Sequence, residues 1–186
     1  MASGYGNRGV GARAPGRYGR GVARRTVLPR VGALPLPGRR TRAAKDGERV
    51  VAAILDALAS DGWSIVHDAR PGRGGVDHIA IGPAGVFAIE TKRRRGRLWA
   101  SRLKRRWLAR ANAEGRRLEE LAGVRVDCVL VFSDVYIVDR ALAPQPGVVV
   151  LPARMLAGHL LAGEAVLSRE QVRERYARIL SGLSAL

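Results

Sequence analysis

The sequence predicts an α/β domain, a mixed β-sheet covered by helices on both faces. Three observations predict it. Short strand-like runs alternate with amphipathic stretches along residues 46–183. A long helical stretch separates the third strand from the fourth, which suits a crossover between parallel strands. The fourth strand, "RVDCVLVFSD" at 125–134, is a continuous apolar run of the buried kind.

Residues 1–44 are rich in Gly, Arg, Pro and Ala, with repeated "GR" pairs and no sustained period of 2 or 3.6. They hold too little to bury against the entropy of ordering, which predicts a disordered basic tail. Such a tail either holds nucleic acid loosely or has no dedicated partner. Order begins at "AAKDGERVVAAILDALASDGW". Asp46 is a plausible N-cap, Val50, Val51, Ile54, Leu55 and Leu58 form a helix stripe, and Gly62 stops it. By helical phase Glu48 lies at the edge of that stripe, one turn in. It either points toward the core or complements the helix dipole.

Strands follow at 63–69, 76–82 and 85–92, with the basic loop "RPGRGG" between the first two. The long helix is expected from about Ala100 to Leu121, ended by Gly123. Strand 125–134 comes next, with Tyr136–Val138 extending or following it. A short strand (147–152), a short helix (153–161) and a terminal helix (168–183) complete the chain. The last opens with the capping box Ser168-x-x-Gln171 and carries Val172, Tyr176, Ile179, Leu180 and Leu183 on one face.

The chain has 186 residues and a formal charge of +17. Residues 1–45 hold eleven Arg or Lys and no acid, so the remainder carries only +6. The balance favours a polyanionic partner, nucleic acid first and an acidic membrane surface second, or it serves solubility alone. No apolar stretch reaches the ~18 residues that would span a bilayer. No charged start with an apolar h-region opens the chain, which predicts no secretory leader. The single cysteine, Cys128, rules out an internal disulfide and reads as a buried thiol, so a cytoplasmic location is the expectation.

The hairpin 76–92 carries the chemistry. The turn "GPAG" (82–85) has type I residues, and closing it sets Ile81 opposite Val86, Ile79 opposite Ala88 and Asp77 opposite Glu90, all on one face. Two carboxylates directly opposite, Cβ atoms about 5 Å apart, repel. Either one takes up a proton or a cation sits between them. Mg2+ (or Mn2+) suits such a pair, because it keeps several waters and binds through one or two carboxylates plus a phosphate. Lys92 points to the same face, and Glu48 could reach in as a third acid. Glu48, Asp77, Glu90 and Lys92 are thus candidate catalytic residues, with Asp77 and Glu90 as metal ligands, for metal-assisted phosphodiester hydrolysis. His78 faces the other side and reads as a packed or hydrogen-bonded histidine.

The run 92–106 holds nine basic residues and no acid, with Trp99 and Trp107 interleaved or adjacent. It reads as phosphate contact plus base stacking, or as a solvated helix face with two core tryptophans. On the first reading Arg93, Arg94, Arg95, Arg97, Arg102, Lys104, Arg105 and Arg106 are the nucleic-acid-binding candidates.

The stretches "DGERVVAAILDAL", "GGVDHIAIGPAGVFAIETKRRRGRLW" and "ARANAEGRRLEEL" together resemble the NERD, or nuclease-related, domain of the PD-(D/E)XK nuclease superfamily, over roughly 44–135. The resemblance implies a restriction-endonuclease-like core over 45–186. It puts Asp77, Glu90 and Lys92 at the signature positions and Glu48 at the helix-one acid. Val76 stands where the superfamily signature has proline. The family often carries a glutamine near the start of the long helix, and here the only glutamines are Gln145 and Gln171. The expected function is metal-dependent cleavage of nucleic acid, DNA favoured over RNA. The alternative is a nucleic-acid-binding module whose site no longer turns over.

Overall fold

The computed structural model describes residues 42–70, 74–137 and 147–185. The expected tail lies outside them except for 42–44, which belong to the first helix. Part of the "RPGRGG" loop, Val138 and Gln145 also lie outside.

Helix α1 runs Arg42–Ala57 and tightens into a 3-10 turn at Leu58–Asp61, ended by Gly62 at φ 85°. Val51, Leu55 and Leu58 are buried as the stripe requires, whereas Val50 is 47% exposed. The helix starts earlier than Asp46, so that residue is not its N-cap. Its carboxylate is taken instead by Arg93 Nη1 at 3.1 Å. No acid stands in the first turn of α1, which removes the dipole reading of Glu48.

Strands β1 (Ser64–Ala69), β2 (Val76–Gly82), β3 (Gly85–Leu98), β4 (Val126–Ile137) and β5 (Val148–Pro152) form one five-stranded mixed sheet in sequence order. The first three are antiparallel, and β3–β4 and β4–β5 are parallel. Helix α2 (Arg105–Ala122) makes the β3-to-β4 crossover, and α3 (Leu156–Leu161) and α4 (Arg169–Ser184) follow β5. The hairpin register is the one its turn dictates, with Gly82 opposite Gly85, Ile81 opposite Val86 and Ile79 opposite Ala88.

Helices cover both faces. On one, Val51 and Leu55 of α1 and Leu156 and Leu160 of α3 pack on Ala80, Phe87, Ile89, Val129 and Leu151. On the other, Leu118 of α2 and Val172 and Ile179 of α4 pack on Ile79, Ile81, Val86 and Ala88. The α4 capping box forms: Ser168 Oγ accepts from the Gln171 N–H at 3.2 Å, and Gln171 Oε1 accepts from the Ser168 N–H at 2.8 Å.

The expected third strand stops at Lys92, but β3 continues to Leu98 through a register shift between Arg93 and Gly96, where Gly96 adopts φ 84°. The extension holds because Leu98 is buried against the cluster that includes Ile137, Leu103 and Trp107. The long helix consequently begins later, after a 3-10 turn at Ala100–Arg102.

Helix α2 lies close on β4 at one point that tests the packing. A Cβ on Gly115 would stand 2.2 Å from Cys128 Sγ. Helix propensity favours Gly115→Ala by about 1 kcal/mol, but overpacking at this distance costs roughly 1–3 kcal/mol. Gly115→Ala is expected to lower the denaturation midpoint. Cys128→Ala in the same chain should recover the loss, because the thiol it would strike is gone. An unchanged midpoint in the single variant would contradict this packing.

Candidate active site

The hairpin and α1 build the floor and wall of a cleft of about 670 Å³, which Glu48, Asp77, Glu90, Lys92, Arg94, Arg95 and Arg110 help to line. Asp77 and Glu90 are both 5% exposed. One step beyond the last hairpin pair, His78 opposite Ile89, the Thr91 N–H donates to Asp77 Oδ2 at 2.8 Å. Lys92 Nζ donates to Glu90 Oε1 at 2.5 Å and to the Thr91 carbonyl at 3.2 Å.

The electrostatics follow from burial. Desolvation, and secondly the charge of Glu90, push the Asp77 carboxyl up from 3.8 to about 7. The Thr91 N–H and the Lys92 ammonium oppose that rise, and Glu48 adds a smaller increment to it. Below neutral pH the site therefore keeps a proton on Asp77 when no cation is near. Glu48 reaches the same cleft from α1. Among the described residues, however, no group of three or more His, Cys, Asp and Glu side chains is gathered so that it could hold a metal ion.

The basic run divides. Arg93 bridges Asp46 at 3.1 Å and Asp134 at 3.0 Å, so it ties α1 to β4. Arg94, Arg95 and Arg97 are exposed along the β3 extension. Arg102, Lys104, Arg105 and Arg106 are exposed from the following 3-10 turn to the start of α2. The two tryptophans also divide. Trp107 packs against Phe132 with ring centroids 5.8 Å apart, a core contact. Trp99 is 44% exposed, with the Arg102 guanidinium 6.0 Å from its ring centre. His78 faces away from the cleft, its Nδ1 2.8 Å from His67 Nδ1, and His67 Nε2 lies 3.0 Å from Asp56 Oδ1. Cys128 is buried, and desolvation pushes its thiol up to about 11, so it is inert.

With this arrangement in view, the family comparison is decisive: residues 43–133 match the model of the nuclease-related domain. This segment is a NERD domain. It holds Glu48, Asp77, Glu90 and Lys92 together with Arg110, and it ends inside β4. No curated protein matches the chain. Among solved structures, the chain is similar to a repair endonuclease from Pyrococcus abyssi, at 18% identity over 67% of this chain and 46% of that one, TM-score 0.34. It is also similar to Pyrococcus furiosus SfsA in complex with Ca2+, at 19% identity over 74% and 52%, TM-score 0.27. The aligned regions thus span about half the length of each.

Sequence reasoning missed Arg110. This α2 residue lies in the NERD cleft with its Nε 3.6 Å from Glu90 Oε1. The available signal is the phase of α2. Ala111, Glu114, Gly115 and Leu118 are its buried face, and Arg110 lies at the edge of that face, four residues before Glu114.

Proposed function

We propose that the NERD domain is a metal-dependent nuclease that hydrolyses phosphodiester bonds in DNA, with RNA the secondary substrate. The observation that carries this reading is the buried Asp77–Glu90 pair beside Lys92, in a cleft walled by arginines. The donor set fits Mg2+ or Mn2+. Two carboxylates with little access to water repel each other, and a hard cation with open coordination positions would relieve both. Asp77 and Glu90 would hold it. When bound, such an ion polarises a phosphoryl oxygen and makes water a better nucleophile.

The chain's own residues supply the rest. Lys92 Nζ stands beside Glu90 to donate to a phosphate oxygen or an attacking water. Glu48, at the α1 wall of the cleft, supplies a further carboxylate that an attacking water could donate to. Arg94 and Arg95 neutralise flanking phosphates, an attraction that salt weakens. Trp99 offers an exposed face on which a base can stack. Among the described residues no helix is long and apolar enough to cross a membrane.

The test is direct. The full chain is incubated with single-stranded DNA, duplex DNA and RNA, with Mg2+ or Mn2+ and with chelator. Cleavage of DNA that requires the metal is expected. Salt-dependent binding without cleavage of any strand would replace this reading with the binding module.

A further inference from the structure

We propose that Arg110 is an exchangeable counter-cation: it closes the Glu90 carboxylate when the site holds no metal ion, and passes to a substrate phosphate when Glu90 takes one. The inference rests on the nuclease reading above and assigns a regulation to that site.

Two cations converge on a single oxygen. Lys92 Nζ holds Glu90 Oε1 at 2.5 Å, and Arg110 Nε approaches the same atom at 3.6 Å. The first is a hydrogen bond; the second is an ion pair beyond hydrogen-bond distance. The Lys92 side chain is 25% exposed and that of Arg110 is 52% exposed. Arg110's other contact is long, from Nη2 to the Gly75 carbonyl at 3.5 Å. Of the two cations, Arg110 is the one with little to lose by leaving.

It also has a reason to leave and a place to go. A divalent ion shared by Asp77 and Glu90 would set a like charge against the guanidinium. The half-exposed side chain already lines the cleft that Arg94 and Arg95 line. A guanidinium is weakly hydrated and matches a phosphate with two parallel N–H donors, which a lysine does not. A phosphate that draws Arg110 away removes one of the two cations on Glu90, and an ion on Glu90 releases Arg110. The two ligands therefore bind cooperatively, each strengthening the other by the same factor.

The experiment measures Mn2+ affinity of the full chain by calorimetry, alone and with a cleavage-resistant phosphorothioate DNA oligonucleotide. In the unaltered chain the oligonucleotide should raise Mn2+ affinity by at least about fivefold, the low end of typical coupling. In Arg110→Ala, Mn2+ alone should bind several-fold tighter, and the oligonucleotide's effect should shrink toward none. Arg110→Lys should keep the weaker metal affinity but only part of the coupling. Arg116→Ala, which removes an exposed charge elsewhere on α2, should change neither quantity. Unchanged or weaker Mn2+ binding in Arg110→Ala overturns the proposal, and so does an equal shift in Arg116→Ala, while the nuclease reading stands. Failure of the unaltered chain to bind Mn2+ with or without the oligonucleotide overturns both.

Discussion

On the nuclease reading, Glu90→Gln is expected to abolish metal-dependent cleavage and to leave the fold intact. The substitution keeps the shape of the side chain and removes a charged ligand. Several kcal/mol of transition-state stabilisation would depend on the ion on that reading, so the rate is expected to fall by roughly 10³-fold or more. Two effects on the fold oppose each other. The repulsion with Asp77 disappears, and so does the charge that Lys92 and Arg110 answer. The net change in stability is expected to stay within about 1 kcal/mol, the scale of a cross-strand pair. The same variant should lower the Asp77 pKa, because Glu90 is the second cause of its rise. Single-turnover cleavage, chemical denaturation and a carboxyl titration followed by NMR check the three parts. Residual cleavage within tenfold of the parent would remove Glu90 from the site.

Asp77 is expected to make the metal-free protein less stable as pH rises. Its folded pKa, about 7, lies above its ordinary value of 3.8. Between those values the native state binds more protons than the unfolded state, so stability falls with increasing pH across that window. Below it both states are protonated; above it both are ionised and the loss is complete. At about 1.4 kcal/mol per unit of pKa difference, the whole loss is at most roughly 4.5 kcal/mol. Asp77→Asn removes this titration, while its amide oxygen can still accept from the Thr91 N–H. The expected result is a variant that matches the parent near pH 4 and exceeds it near pH 8, by several degrees in Tm. Parallel stability curves from pH 4 to pH 8, measured with chelator present, would show that Asp77 is ionised throughout.

The legible parts of the molecule were those that local chemistry decides. The "GPAG" turn fixes the hairpin register from Gly82–Gly85 to His78–Ile89, and one step further along both strands Asp77 and Glu90 line the same cleft. The capping box at Ser168 and the stops at Gly62 and Gly123 are likewise local. What sequence reading misplaced depends on distant partners. Asp46 looks like a cap, but Arg93, a strand away, claims its carboxylate. The β3 extension carries four exposed residues from Arg94 to Arg97, so no alternation announces it; a single buried Leu98 and the length of β4 hold it. Arg110 is one arginine on an arginine-rich helix, and only the docking of α2 selects it. Trp99 and Trp107 are indistinguishable as letters, and only the burial of Leu98 and Phe132 separates a surface ring from a core one.

The origin of the two carboxylates bears on when the site assembles. Asp77 and Glu90 ride on the two arms of one hairpin, whereas the helices that cover them come from either side in the chain. Hairpins close in about 1–10 μs, while parallel pairing such as β3 with β4 must wait for the crossover helix and its longer loop. The acids are therefore expected to meet early, while water still screens them, with the helices sealing them in late. The electrostatic cost of the pair falls on the native side of the folding barrier. Mild acid, by neutralising Asp77, is then expected to act chiefly by slowing the escape from the folded state, with little effect on the rate of reaching it.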